Sequence, residues 1–253
     1  MNLVNKEYHK RANALIAQWQ DTVERSAAFE LPSYQELTTI FDHVLLDPEA
    51  SISALNKVCR EARSNHYASV CVNPAYVERC VDLVNKEVAV STVVGFPLGT
   101  NHTQVKALEA ELAVTHGATE IAMVINVGLL KTANYQEIFE DIKAVRLAGP
   151  EAELKVILES SSLTEKELVV ACLLAREAGA DFVQSSTGFS SQCGTPEQVS
   201  LMRFVVGEDL GVVAAERITT RSECSAMIKA GASRIATFNG PLSKLFPEQA
   251  LPE

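Results

Sequence analysis

The side chains that could do chemistry lie where strands would end. The stretch 180–190, Ala-Asp-Phe-Val-Gln-Ser-Ser-Thr-Gly-Phe-Ser, reads as a short buried strand over 181–186 that runs into a polar turn containing Gly188. In a parallel α/β protein, strand ends of this kind deliver side chains to the site. Gln184 shares a strand face with Phe182 and Ser186. A neutral amide therefore stands where a reactive group would be presented. Lys155, Ile157 and Glu159 share a face of another apolar run by the same alternation. Cys71 lies in a third run; a nucleophilic thiol wants a nearby histidine and none is placed for it, so it reads as a small buried apolar residue. The six cysteines include no Cys-x-x-Cys pair, and the five histidines show no metal-ligand spacing with them or with each other. Buried thiols in a reducing compartment are the expectation, with no metal.

These side chains need elements to hold them. The chain has 253 residues, 47% apolar and 21% charged, which suits one full core and lies near the about 250 residues of an eight-fold α/β barrel. From Thr39 onward, short apolar runs alternate with helical stretches. The runs at 40–46, 67–72, 88–94, 120–125, 154–159, 181–186, 211–215 and 234–237 read as strands. Helical stretches follow at 53–62, from Pro74, at 103–116, at 135–147, from Thr164, from Thr195-Pro196, at 220–230 and briefly at 241–245. Proline suits a first helical turn, and Thr164 with Glu167 has the spacing of a capping box. A Gly-Ala pair precedes a strand at Gly117, Gly179 and Gly231. Each follows a helical stretch, where glycine predicts a left-handed cap that turns the chain. Such units predict a closed parallel (β/α)8 TIM barrel, and the absence of Gly-x-Gly-x-x-Gly after the first run argues against a dinucleotide fold. Residues 2–29 read as an extra N-terminal helix, with Tyr8, Ala12, Leu15, Ile16, Trp19 and Val23 near helical spacing. The expected organisation is a helical extension over 1–38 and a single barrel domain over 39–253. The apolar face of the extension is expected to cap the bottom of the barrel, with a subunit interface as the alternative.

The net charge of −10 argues against nucleic acid or an anionic membrane as partner. No apolar run approaches the roughly 20 residues a membrane span needs. Residues 1–30 are amphipathic and charged rather than leader-like, so a cytoplasmic protein is expected.

Several segments resemble the deoxyribose-phosphate aldolases. They are Phe41-Asp42-His43-Val44-Leu45-Leu46, Ser69-Val70-Cys71-Val72-Asn73-Pro74, Thr92-Val93-Val94-Gly95-Phe96-Pro97-Leu98-Gly99, Met123-Val124-Ile125-Asn126-Val127-Gly128, Leu154-Lys155-Val156-Ile157-Leu158-Glu159, and Gly179-Ala180-Asp181-Phe182-Val183 through Ser186-Thr187-Gly188-Phe189. The likeness runs in unbroken order over about 40–240. It implies a TIM barrel that cleaves 2-deoxyribose 5-phosphate to acetaldehyde and glyceraldehyde 3-phosphate without metal or cofactor. The family's lysine forms a Schiff base, a second lysine depresses its pKa, and an aspartate relays the proton. An amine must be neutral to attack, and a neighbouring cation or burial makes it so.

The family's Schiff-base lysine falls on Gln184, the second lysine on Val213 and the aspartate on Ala122. None of these groups can take over the role. The family's phosphate site uses paired glycines after the seventh strand, here Glu216 and Arg217, and a serine-rich turn after the eighth, here including Phe238 and Asn239; Gly188 remains. Glu216 is expected to repel a phosphate and Arg217 to offset it in part, so any small sugar phosphate is expected to bind weakly. Asp42, Cys71, Lys155 and Glu159 match family positions. Lys155, Glu159 and Asp42 are expected to satisfy one another as an ion network; the alternative is that Lys155 replaces the missing amine. The resemblance thus implies an aldolase-like protein with its catalytic groups replaced, a pseudoenzyme acting as a regulator or as a structural subunit. The expected assemblies are a homo-oligomer or a hetero-oligomer with an active relative. The alternative is a diverged but active aldolase or lyase on a small sugar phosphate.

Overall fold

Parallel strands can pair only through crossover connections, and every apolar run of this chain is followed by a helical stretch, the first seven of which can serve as one. The computed structural model describes residues 3–23, 31–190, 194–237, 240 and 242–246. Its strands are β1 (Phe41–Leu45), β2 (Ser69–Val72), β3 (Ala89–Val94), β4 (Glu120–Val124), β5 (Glu153–Ile157), β6 (Phe182–Gln184), β7 (Gly211–Glu216) and β8 (Arg234–Thr237). They pair in sequence order, all parallel, and β8 closes onto β1. The helices are α1 (Leu3–Val23), α2 (Tyr34–Thr38), α3 (Ile52–Ser64), α4 (Val77–Val84), α5 (Thr103–Thr115), α6 (Val127–Lys131), α7 (Tyr135–Ala148), α8 (Glu165–Ala178), α9 (Pro196–Val206) and α10 (Arg221–Lys229). This is the (β/α)8 barrel with an additional N-terminal helix. Among the described residues no helix is long and apolar enough to cross a membrane.

The junctions behave as their residue types require. Gly117, Gly179 and Gly231 have φ of 97°, 88° and 105°, a region that a side chain with a Cβ rarely enters. Thr164, Thr195 and Thr220 close capping boxes with Glu167, Gln198 and Glu223 at the starts of α8, α9 and α10, which fixes where those helices leave the mouth of the barrel.

Three features differ from the sequence expectations. First, α1 lies along the outer sides of α8 and α9 rather than under the barrel. Trp19 Nε1 donates to Ser200 Oγ at 3.2 Å, and Arg11 pairs with Glu177 at 2.7 Å. Its apolar face seats it there, with Ala12 and Trp19 buried in the core and Tyr8, Leu15 and Ile16 packed against it; residues 24–30 lie outside the described residues. Second, α6 was not expected. It forms because the Asn126 side chain accepts from Leu129 N and caps a single turn. Third, β5 and β6 end early. Glu159 adopts a left-handed conformation (φ 54°). Beyond Gln184, polar side chains bond to the local backbone: Gln184 Nε2 donates to Ser186 O, and Gly188 N donates to Ser186 Oγ. Such local bonds compete with a strand ladder.

Candidate functional site

Alternation along each strand sorts the barrel interior into two tiers. The lower tier, at the N-terminal ends of the strands, is charged. Lys155 Nζ lies 2.8 Å from Asp42 Oδ2 and 2.6 Å from Glu120 Oε2. Arg234 Nε donates to Asp42 Oδ1 at 3.0 Å, and its Nη2 pairs with Glu120 Oε1 at 3.0 Å. Ser69 Oγ donates to Asp42 Oδ1 at 2.7 Å. The Phe182 ring, whose atoms occupy the space a Cβ on Gly211 would need, faces both cations at 5.7 Å. Two carboxylates thus meet two cations, and the group is neutral as a whole.

Burial alone would raise the Asp42 carboxyl, but Lys155 and Arg234 hold it down at about 2. Burial alone would lower the Lys155 ammonium, yet Asp42 and Glu120 keep it above its ordinary value. Lys155 therefore stays protonated, and a protonated amine does not attack a carbonyl. The expected trio of Lys155, Asp42 and Glu159 does not assemble. The turn after β5 swings Glu159 away, and its carboxylate accepts from Thr187 N, Thr187 Oγ1 and Ser190 Oγ. Glu120 and Arg234 take its place. Both were legible by the alternation that put Ala122 on the interior, since Glu120 lies two residues before it and Arg234 two before Ala236.

The upper tier is neutral. Ala122, Val213, Val44, Ile157 and Ala236 form one buried apolar cluster with Cys71. Ala122 faces Lys155 in the β4–β5 register, and Gln184 faces Val213 in the β6–β7 register. Gln184 and Ala122 line the same cavity as Lys155, Cys71 and Phe96. A water-sized sphere finds only about 10 Å³ there, room for about one water. Burial pushes the Cys71 thiol up to about 12, so it carries no thiolate near neutrality. Above, Phe96 meets Phe189 edge to face at 5.1 Å. Beyond them opens a cleft of about 430 Å³ whose lining includes Leu46, Asp47, Gly188, Phe189 and Arg217.

The two residues at the family's glycine pair point in different directions. Arg217 is exposed at the cleft, its Nη2 3.4 Å from both Gly188 O and Ser190 O. Glu216 does not face the cleft, contrary to the expectation that it would repel a phosphate there. It alternates with Ala215 on β7 and so points outward, 2% exposed, accepting from Ser185 Oγ at 2.6 Å and Gly194 N at 2.8 Å. Burial raises its carboxyl to about 7 against these two bonds. Phe238 and Asn239 lie outside the described residues. Among the described residues no cluster of His, Cys, Asp or Glu could hold a metal ion.

The Glu216 environment has a pH signature. Its folded pKa lies above the ordinary carboxyl value, so the stability it contributes is full below about pH 4.3 and is lost as pH rises through 7. Glu216→Gln removes the titration. Relative to the wild type, the variant should gain stability between pH 5 and pH 8 in urea unfolding; a constant difference across that window would refute this assignment.

A profile of the family described as DeoC/LacD family aldolase matches residues 37–231. A deoxyribose-phosphate aldolase from Clostridium perfringens is 48% identical over 203 residues, covering 79% of this chain and 91% of the relative. One from Brevibacillus brevis is 48% identical over 200 residues, covering 79% and 90%. A solved tetrameric deoxyribose phosphate aldolase from Aeropyrum pernix superposes with a TM-score of 0.77 at 30% identity, covering 91% of this chain and 95% of that one. With a closed barrel of the same plan beneath these matches, the chain belongs to the DeoC/LacD family of aldolases.

Proposed function

We propose that this chain is a non-catalytic member of its family, a regulatory or structural subunit that keeps the aldolase scaffold without Schiff-base chemistry. The observation that carries this reading is the neutral upper tier. The three positions that match the family's lysines and aspartate are Gln184, Val213 and Ala122, and Lys155, which lines the same cavity as Gln184 and Ala122, is held as an ammonium by two carboxylates. The cavity that Gln184 and Ala122 line, about 10 Å³ to a water-sized sphere, holds no neutral amine and no free carboxylate at that depth, which further supports the reading. Any sugar phosphate would be confined to the cleft above, where Arg217 is the available cation and weak binding is expected. Assembly, with itself or with an active relative, is supported by the outward face of α5, where Val105, Leu108 and Leu112 are exposed beside Leu147 of α7. The described cysteines, all buried and free, are consistent with a reducing cytoplasmic compartment; Cys193 lies outside the described residues.

The test is trapping. Borohydride reduction with acetaldehyde or 2-deoxyribose 5-phosphate should leave the protein mass unchanged, and a retro-aldol assay should match the no-protein control. An adduct on Lys155, or turnover by the purified chain, would sink the proposal and favour the diverged enzyme.

A further inference from the structure

Cysteines distant in sequence can meet when neighbouring helices flank one strand. Cys59 is the eighth residue of α3 and Cys80 the fourth of α4. The two helices pack together on the outer side of the barrel. Both thiols are fully buried, and their sulfurs lie 3.5 Å apart. Arg63 holds the same two helices in register, donating to Leu83 O at 3.3 Å and pairing with Glu87 at 2.6 Å. We propose that Cys59 and Cys80 form an oxidant-driven intrachain disulfide that staples α3 to α4, with hydrogen peroxide as the oxidant.

The geometry is close to that of the bond. A disulfide needs sulfurs about 2.05 Å apart, so the pair must close by about 1.5 Å, a shift that side-chain rotation and a small helix movement supply. Neither thiol is exposed, so the oxidant must be small and neutral and must enter as α4 opens. This helix spans only residues Val77–Val84 and is preceded by a 3-10 turn over Pro74–Tyr76. The shared hydrogen bond favours the thiolate on Cys59 over one on Cys80, which makes Cys59 the attacking sulfur. Its thiolate attacks one peroxide oxygen, giving a sulfenic acid and hydroxide. The Cys80 sulfur then attacks the sulfenic sulfur and expels its oxygen as water. In sum, two thiols lose two electrons and two protons, and hydrogen peroxide becomes two waters. Cys71, Cys172 and Cys224 are buried, with thiols pushed up by burial, and should react more slowly.

The bond would close a loop containing all of β2, since the two cysteines are 21 positions apart. Restricting a loop of that size in the unfolded chain, less some native strain, should raise the melting temperature by about 5–10 °C.

The experiment treats the folded, reduced protein with hydrogen peroxide, alkylates it in denaturant and maps it with trypsin without reduction. The expected product is the peptide 58–60 joined to the peptide 80–86, two mass units lighter than the two free peptides together. The melting temperature should rise in parallel and fall back with dithiothreitol. Cys80→Ala should abolish the linked peptide and leave a sulfenic acid on Cys59 that dimedone captures. Linkage between other cysteines, linkage only in urea-unfolded protein, or over-oxidation of Cys59 and Cys80 without linkage would each overturn the proposal. The wild-type map decides even if the variant is unstable.

Discussion

Ala122→Asp, Gln184→Lys and Val213→Lys together should give retro-aldol turnover of 2-deoxyribose 5-phosphate, while Gln184→Lys alone should be at least about 10²-fold slower. The single variant places a buried amine at the end of β6, and burial shifts a lysine down by up to about 3–5 units. Some neutral amine would exist. Lys155, which lines the same cavity, is already neutralised by Asp42 and Glu120, so it contributes little to lowering the new amine further. Val213→Lys supplies an unpaired cation one strand away, in register with position 184. Ala122→Asp supplies the proton relay, opposite Lys155 in the β4–β5 register. Because such groups act as a unit, single restorations reveal little. The cavity admits only about 10 Å³ to a water-sized sphere, so the new side chains will strain the packing by about 1–3 kcal/mol, and folding should be checked by circular dichroism. Glu216 should be left alone. Its replacement by glycine would strip the partner from Gly194 N and Ser185 Oγ without clearing the cleft. A coupled assay for glyceraldehyde 3-phosphate reads the outcome, and equal rates for the single and triple variants would refute the relay argument.

Lys155→Met should cost about 3–5 kcal/mol in urea unfolding. Lys155 is 2% exposed and contacts both carboxylates of the lower tier. Removing it leaves Arg234 alone to balance two buried charges. The variant should also reverse a pH trend. In the wild type, the depressed Asp42 pKa of about 2 contributes stability that is full above about pH 4 and lost as pH falls towards 2. In the variant, burial without Lys155 raises one of the carboxyls, so its stability falls as pH climbs through that raised value. A double variant, Lys155→Met with Glu120→Gln, restores charge balance and should recover part of the loss. A Lys155→Met protein as stable as the wild type would show that the quartet contributes nothing to the fold, and a loss without the reversed trend would refute the account of it by an unpaired buried carboxylate.

Much of this architecture was legible before any coordinates, because a barrel repeats the same physical requirements eight times. Alternation in two apolar runs identified Lys155, Ile157, Phe182 and Gln184 as interior side chains, and the glycines at 117, 179 and 231 marked the turns back into strands. What escaped was decided by contacts that no periodicity encodes. Glu159 follows a run that looks continuous, yet Thr187 and Ser190 draw its carboxylate to another loop. Glu216 follows strand alternation faithfully, but the expectation placed it by analogy with glycines that have no side-chain direction to observe. The seat of α1 depended on which helices receive its apolar face, and α8 and α9, which carry Glu177 and Ser200, are distant in sequence from Arg11 and Trp19. Cys59 and Cys80 lack any motif spacing and meet only because their helices are neighbours.

The closed charge balance of the lower tier also bears on how such a chain can diverge. Asp42, Glu120, Lys155 and Arg234 answer one another without calling on the tier above. Residues in that upper tier could therefore be exchanged one at a time without stranding a buried charge below. Exchanges of that kind leave the charged foundation of the barrel intact. The same independence makes this barrel a blank host for directed evolution, where new catalytic groups can be written above a foundation that need not change.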